Sequence, residues 1–198
     1  QDEIFLGAQL GIAESNRQGK YFQKELVLAH GAAEYESSTQ SVWILGKRPS
    51  VVLPSSALLI DAFSTEDVER EKCNDMRFFT APSETMLARS IDIFTASSSD
   101  GSSEGVEIEA WHHTLFKYAA RDLNRRFREK FGVKMTSQAW AGWAAARLLG
   151  EAWIRGDEAQ PNLLAHFLRE SVSFDGQKGV ALSFSETGQL RQVLFAVR

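Results

Sequence analysis

The residues best suited to chemistry are His112 and His113, adjacent in sequence and flanked by Glu107, Glu109 and Trp111. A zinc site needs ligands converging from one side, as two histidines four residues apart on a helix do. Successive residues of a helix diverge by about 100°, so two neighbouring histidines do not share one ion and no metal site is expected. His30 and His166 stand singly near expected element ends and read as edge residues. The chain carries no glycine-rich phosphate loop and no Gly-x-Ser-x-Gly elbow. Its scattered serines, aspartates and histidines do not make a triad without geometry, and Asp61 and Glu66 form no recognisable acid–base pair. Nothing in these residues argues for an enzyme or for a bound cofactor.

Two further groups invite function. Lys117, Arg121, Arg125 and Arg128 fall on one face of a helix expected over 111–131, with Leu115, Phe116, Ala119, Leu123, Phe127 and Phe131 roughly opposite. Such a stripe reads either as a solvated face or as a docking surface for an acidic partner. Trp140, Trp143, Ala144 and Leu148 share helical spacing, with Trp153 further along. Large aromatics at that spacing read first as core, and otherwise as a partner-binding patch.

The elements that must position these residues follow from periodicity. Apolar residues from Ile4 to Ala13, with Gly19 behind them, predict an amphipathic helix over 4–17. Lys24–Ala29, Ser50–Leu53, Leu58–Phe63 and Met76–Thr80 read as strands, and Val42–Leu45 as a strand or a helix end. Pro82-Ser83-Glu84 opens a helix carrying Met86, Leu87, Ile91 and Phe94. Ser97–Ser103 is a polar linker. Thr136 or Ser137 caps the tryptophan helix, a helix covers roughly Pro161–Glu170, and a β-hairpin closes the chain.

The 198 residues, 43% hydrophobic and 24% charged, suit one soluble globular domain. A net charge of −4 speaks against a nucleic-acid partner. No run approaches the roughly 18 apolar residues that a membrane span requires. The lone Cys73 reads as a small buried hydrophobe. The chain opens Gln1-Asp2-Glu3, compatible with a cleaved signal peptide or with trimming.

Several segments, taken in order, resemble a known family. They are Leu10-Gly11-Ile12-Ala13-Glu14-Ser15-Asn16-Arg17-Gln18-Gly19, Phe79-Thr80-Ala81-Pro82-Ser83-Glu84, Leu123-Asn124-Arg125-Arg126-Phe127, the tryptophan helix, and Gly179–Phe184 with Gln189–Gln192. Together they resemble type I periplasmic solute-binding proteins, the receptors of ABC transporters. More narrowly, they look like the subgroup encoded beside PQQ-dependent alcohol dehydrogenases.

The resemblance implies an α/β fold: one lobe of such a receptor, a reduced three-layer sandwich with the C-terminal hairpin on its sheet edge. Residues 1–198 would form a single α/β domain, with a flexible linker at 97–103 replacing the second lobe. Ligand contacts in the family come from strand ends and helix starts, which here match Ser55, Ser56, Ser64, Thr80 and Ser83. The implied role is a non-catalytic periplasmic accessory of PQQ-dependent methanol or alcohol oxidation. It would bind a quinoprotein dehydrogenase, a second copy of itself or a small solute. A transporter receptor delivering a small molecule such as PQQ, or a subunit of the dehydrogenase complex, are the alternatives. Partner contacts would then fall on Lys117, Arg121, Arg125, Arg128, Trp140 and Trp143.

Overall fold

A computed structural model of the chain describes residues 2–29, 42–50, 52–71, 74–98, 102–156 and 160–198. His30, the small polar stretch 32–41, Cys73 and the middle of the serine linker lie outside the described residues. The first helix, α1 (Glu3–Gly19), starts at Asp2, whose carboxylate accepts from the Ile4 and Phe5 amides. It lies along α5 (Ser137–Arg155), and theirs is the most extensive contact between any two elements. Thr136 caps α5 by accepting from the Ala139 amide. The small faces of both helices explain the closeness. A methyl group at Gly7 would sit 1.8 Å from the Ala139 carbonyl oxygen, and one at Gly142 would sit 2.1 Å from that of Ile4.

Three parallel strands, β1 (Val42–Leu45), β2 (Leu58–Asp61) and β3 (Arg77–Phe79), form a sheet in that order. Ile60 and Phe78 stand side by side in register. They share the main core with Trp140, Trp143 and Leu148 of α5 and with Leu164 and Leu168 of α6 (Pro161–Glu170). The C-terminal strands β5 (Phe174–Asp175), β6 (Ala181–Phe184) and β7 (Leu190–Arg191) make an antiparallel meander. It joins the edge of the parallel sheet through a Phe79–Gln189 bridge, where the Phe79 amide donates to the Gly188 carbonyl at 2.8 Å. The hairpin therefore sits on the sheet edge, as expected. A short ladder of β4 (Glu107–Glu109) with β8 (Phe195–Val197) lies beside α3 (Glu84–Ser97), a helix with no buried residue.

Three expected elements are different. Lys24–Ala29 is extended but joins no sheet among the described residues. Its partner is a side chain: the Asn16 amide both donates to and accepts from the Leu26 backbone, each at 2.8 Å, in place of a neighbouring strand. The described residues of Ser50–Leu53 form no strand, and Val52 is fully exposed, so no sheet face claims it. The helix expected over 111–131 begins only at Ala120, as α4 (Ala120–Phe131). Tyr118 and Ala119 adopt left-handed backbone, with φ of 53° and 65°, which no helix can pass through. The stretch before them is organised by Asn124, whose amide donates to the carbonyls of His113 and Leu115.

Candidate functional site

The carboxyl ends of β2 and β3 open onto a cleft, the place where α/β sheets gather ligands. The turn after β2 is fixed by Asp61, whose buried carboxylate accepts from the Phe63 and Ser64 amides. A short helix, α2 (Val68–Glu71), follows and aims Arg70 inward. The start of α3 is stitched to this turn. The Glu84 amide donates to the Thr65 carbonyl, and both the amide and hydroxyl of Thr85 donate to Asp67. Above all, the Thr85 hydroxyl holds the Asp67 carboxyl below its ordinary range.

An open pocket of about 620 Å³ lies between these pieces and the hairpin, walled by Asp67, Arg70, Glu71, Ser83, Arg191 and Gln192 among others. Arg70 is 8% exposed, and its guanidinium rests 4.4 Å from the Phe79 ring. Its donors reach the Gln189 side chain and the carbonyls of Ser64, Glu66 and Ala81. Four of five N–H groups are thus taken, leaving one on Nη1. Among the described residues no carboxylate comes within ion-pair distance of this cation. Burial pulls its pKa below the ordinary arginine value, against the opposing fields of Asp61 and Asp67. Gln192 closes the wall from the hairpin side, its amide donating to the Thr80 carbonyl at 2.9 Å and accepting from Lys178 at 2.7 Å.

The expected ligand residues divide. Ser64, Thr80 and Ser83 are brought to the carboxyl end of the sheet and are buried. The Thr80 hydroxyl, however, donates to the Ala141 carbonyl, and the Ser83 hydroxyl caps α3; of the three only Ser83 lines the pocket. Ser55 and Ser56 form an exposed turn ahead of β2, at the opposite end of the strand. Nothing in the residue pattern marks Arg70, Gln189 or Arg191 as site residues. Arg70 hides in a charged run that reads as a solvated turn, and only the pairing of the hairpin with β3 brings Gln189 to it.

The expected partner residues divide as well. Trp140 and Trp143 are 0% and 2% exposed, so they are core and not an aromatic surface patch. Their indole N–H groups donate inward, to the Gly176 carbonyl and the Glu14 carboxylate. Lys117 precedes α4, so it leaves the helical stripe. Arg121, Arg125 and Arg128 are exposed on α4, and Arg125 pairs with Asp122 and Glu129 of its own helix. His112 and His113 lie in the loop before α4 with ring centroids 4.1 Å apart. Burial first, and the neighbouring His112 second, lower the pKa of His113. Among the described residues no group of three or more His, Cys, Asp or Glu could hold a metal.

Behind the pocket wall, Lys178 is 3% exposed, with its ammonium 3.7 Å from the Trp140 ring centroid. Burial pushes its pKa well below the ordinary lysine value. The unfolded chain then binds the extra proton at pH values between the two, so this group's contribution to stability rises as pH climbs toward the ordinary lysine value of about 10. Denaturation midpoints measured over that range should climb more steeply in the wild type than in Lys178→Met. Parallel curves for the two would contradict this placement.

No protein-family model matches the chain, and no curated protein matches it by sequence. Solved structures do. An ABC transporter substrate-binding protein from Desulfitobacterium hafniense superposes with a TM-score of 0.76 at 16% identity, over 98% of this chain and 92% of that one. One from the same organism in complex with Leu gives 0.74 at 16% identity, over 98% and 93%. The branched-chain amino acid transporter substrate-binding protein LivJ from Streptococcus pneumoniae, in complex with isoleucine, gives 0.71 at 10% identity, over 98% and 90%. At such identities the likeness is one of architecture, and what it establishes is that this α/β chain has the fold of ABC-transporter substrate-binding proteins.

Proposed function

We propose that the chain is a small-solute receptor of the ABC-transporter kind, acting outside the cytoplasmic membrane on a solute that carries an acidic group. The observation that carries this reading is Arg70. A buried cation without a carboxylate partner is costly, and this one floors an open pocket with a donor to spare. A ligand carboxylate would supply the missing counter-charge, and Arg191 at the rim adds a second cation. The like-fold chains support a small ligand, since two of them hold Leu and isoleucine. Among the described residues no helix is long and apolar enough to cross a membrane. An accessory role beside a PQQ-dependent alcohol dehydrogenase draws less support, because Trp140 and Trp143 offer no exposed surface.

Isothermal titration and melting-temperature shifts should be run against a panel of amino acids and simple carboxylates, with L-leucine and L-isoleucine first. Saturable binding by at least one member is expected. Arg191→Gln, an exposed change, should weaken it about tenfold, equal to about 1.4 kcal/mol. Arg70→Lys should weaken it further, because lysine keeps the charge but loses the fork. A panel in which nothing saturates sinks the receptor reading.

A further inference from the structure

Among the described residues the pocket is walled by α2, the start of α3 and the hairpin, and it is open to solvent between them. A receptor holds a small ligand by burying most of its surface, commonly 70–90%. This face alone leaves a bound solute open to water, so something must cover it. The lining itself says what kind of surface fits. It presents two carboxylates, Asp67 and Glu71, and two guanidinium groups, Arg70 and Arg191. Asp67 is engaged with Thr85 and Arg70 with its ring of carbonyls. Glu71 on α2 and Arg191 on β7 are both exposed, and neither has an ion-pair partner among the described residues. They stand on different walls of the same pocket, one of each sign.

A two-fold rotation lets a surface with one free charge of each sign pair with its own copy, the same contact then occurring twice, once on each side of the axis. The geometry points to a second copy of this chain as the cover: two copies meet face to face across the pocket, Arg191 of each against Glu71 of the other. The solute is then enclosed between two identical walls. This inference rests on the receptor reading for why a cover is needed, whereas the charges that join the two copies are in place with or without solute.

The test is sedimentation equilibrium of the solute-free chain over a wide concentration range. The wild type should show a monomer–dimer equilibrium. Arg191→Glu and Glu71→Arg, each creating like-charge contacts, should each raise the dimer dissociation constant by about tenfold or more. The double variant Arg191→Glu/Glu71→Arg swaps the signs and should return it to within about threefold of wild type, since additivity fails for residues in contact. A monomer at every concentration overturns the inference, as does a dimer indifferent to the single changes or a double variant without rescue. The two readings fail separately. A monomer that saturates with solute removes the second copy and keeps the receptor, whereas a dimer that binds no member of the panel removes the receptor.

Discussion

Gly142→Ala should destabilise the chain by about 3 kcal/mol or more in a urea titration, the upper range for overpacking a tight interior. Helix propensity alone argues the opposite, because alanine favours a helix interior over glycine by about 1 kcal/mol. Packing decides the sign. The added methyl would lie 2.1 Å from the Ile4 carbonyl oxygen and 2.8 Å from its carbon, both backbone atoms that no rotamer change can move. Gly7→Ala meets the Ala139 carbonyl oxygen at 1.8 Å and should behave alike. Relief requires α1 and α5 to separate along their whole contact, which includes Gly11 against the Trp143 carbonyl and Gly150 against Ser15. Against a total stability of about 5–15 kcal/mol, that loss is a large share. A variant more stable than wild type would show that the two helices are not interlocked in this way.

That interlock was only half legible. The apolar period of α1 and α5 and the Thr136 cap can be read from the chain, because they depend on residues within a turn of one another. That Gly7, Gly11, Gly142 and Gly150 each lie against the opposing helix cannot, since isolated glycines in a helical pattern equally read as weak points. The end of the first half fails for a related reason. Lys24–Ala29 has strand composition, yet its hydrogen-bond partner is the Asn16 side chain, ten residues away from Leu26. The helical pattern over 111–131 runs straight across Tyr118 and Ala119, since nothing in those residue types announces a left-handed backbone.

The site shows the same division. Ser64 and Thr80 lie just past the carboxyl ends of β2 and β3, and Ser83 lies at the start of α3, positions that the apolar runs before them make legible. Their hydroxyls turn out to serve the fold more than a ligand, as the Thr80–Ala141 bond illustrates. Arg70 became visible only once the hairpin delivered Gln189 against it, a contact between residues 119 positions apart. A buried arginine in a run of exposed charges has no local signature. Trp140 and Trp143 follow the plainer of their two readings, core over surface, because α1 and the strand residue Phe174 close over them.

The cleft's integrity rests on Asp61, and Asp61→Ala should be the most damaging polar substitution, costing about 3–5 kcal/mol. Its carboxylate is 0% exposed and meets the Arg77 guanidinium at 2.6 Å, while its other oxygen accepts two backbone amides. Removing it leaves those amides unpaired in the interior and Arg77 with Glu69 alone. The exposed Arg48–Glu66 pair offers the contrast, with side chains 72% and 52% accessible. Breaking that pair should change stability by no more than about 1 kcal/mol. Solute affinity should fall with Asp61→Ala too, because the same turn presents the Ser64 carbonyl to Arg70. Adding Arg77→Met to the variant should recover part of the loss, since the second change removes the stranded cation. Chemical denaturation of the four proteins in this cycle measures it. An Asp61→Ala chain within about 1 kcal/mol of wild type would mean that the strand end is held by packing and not by this carboxylate.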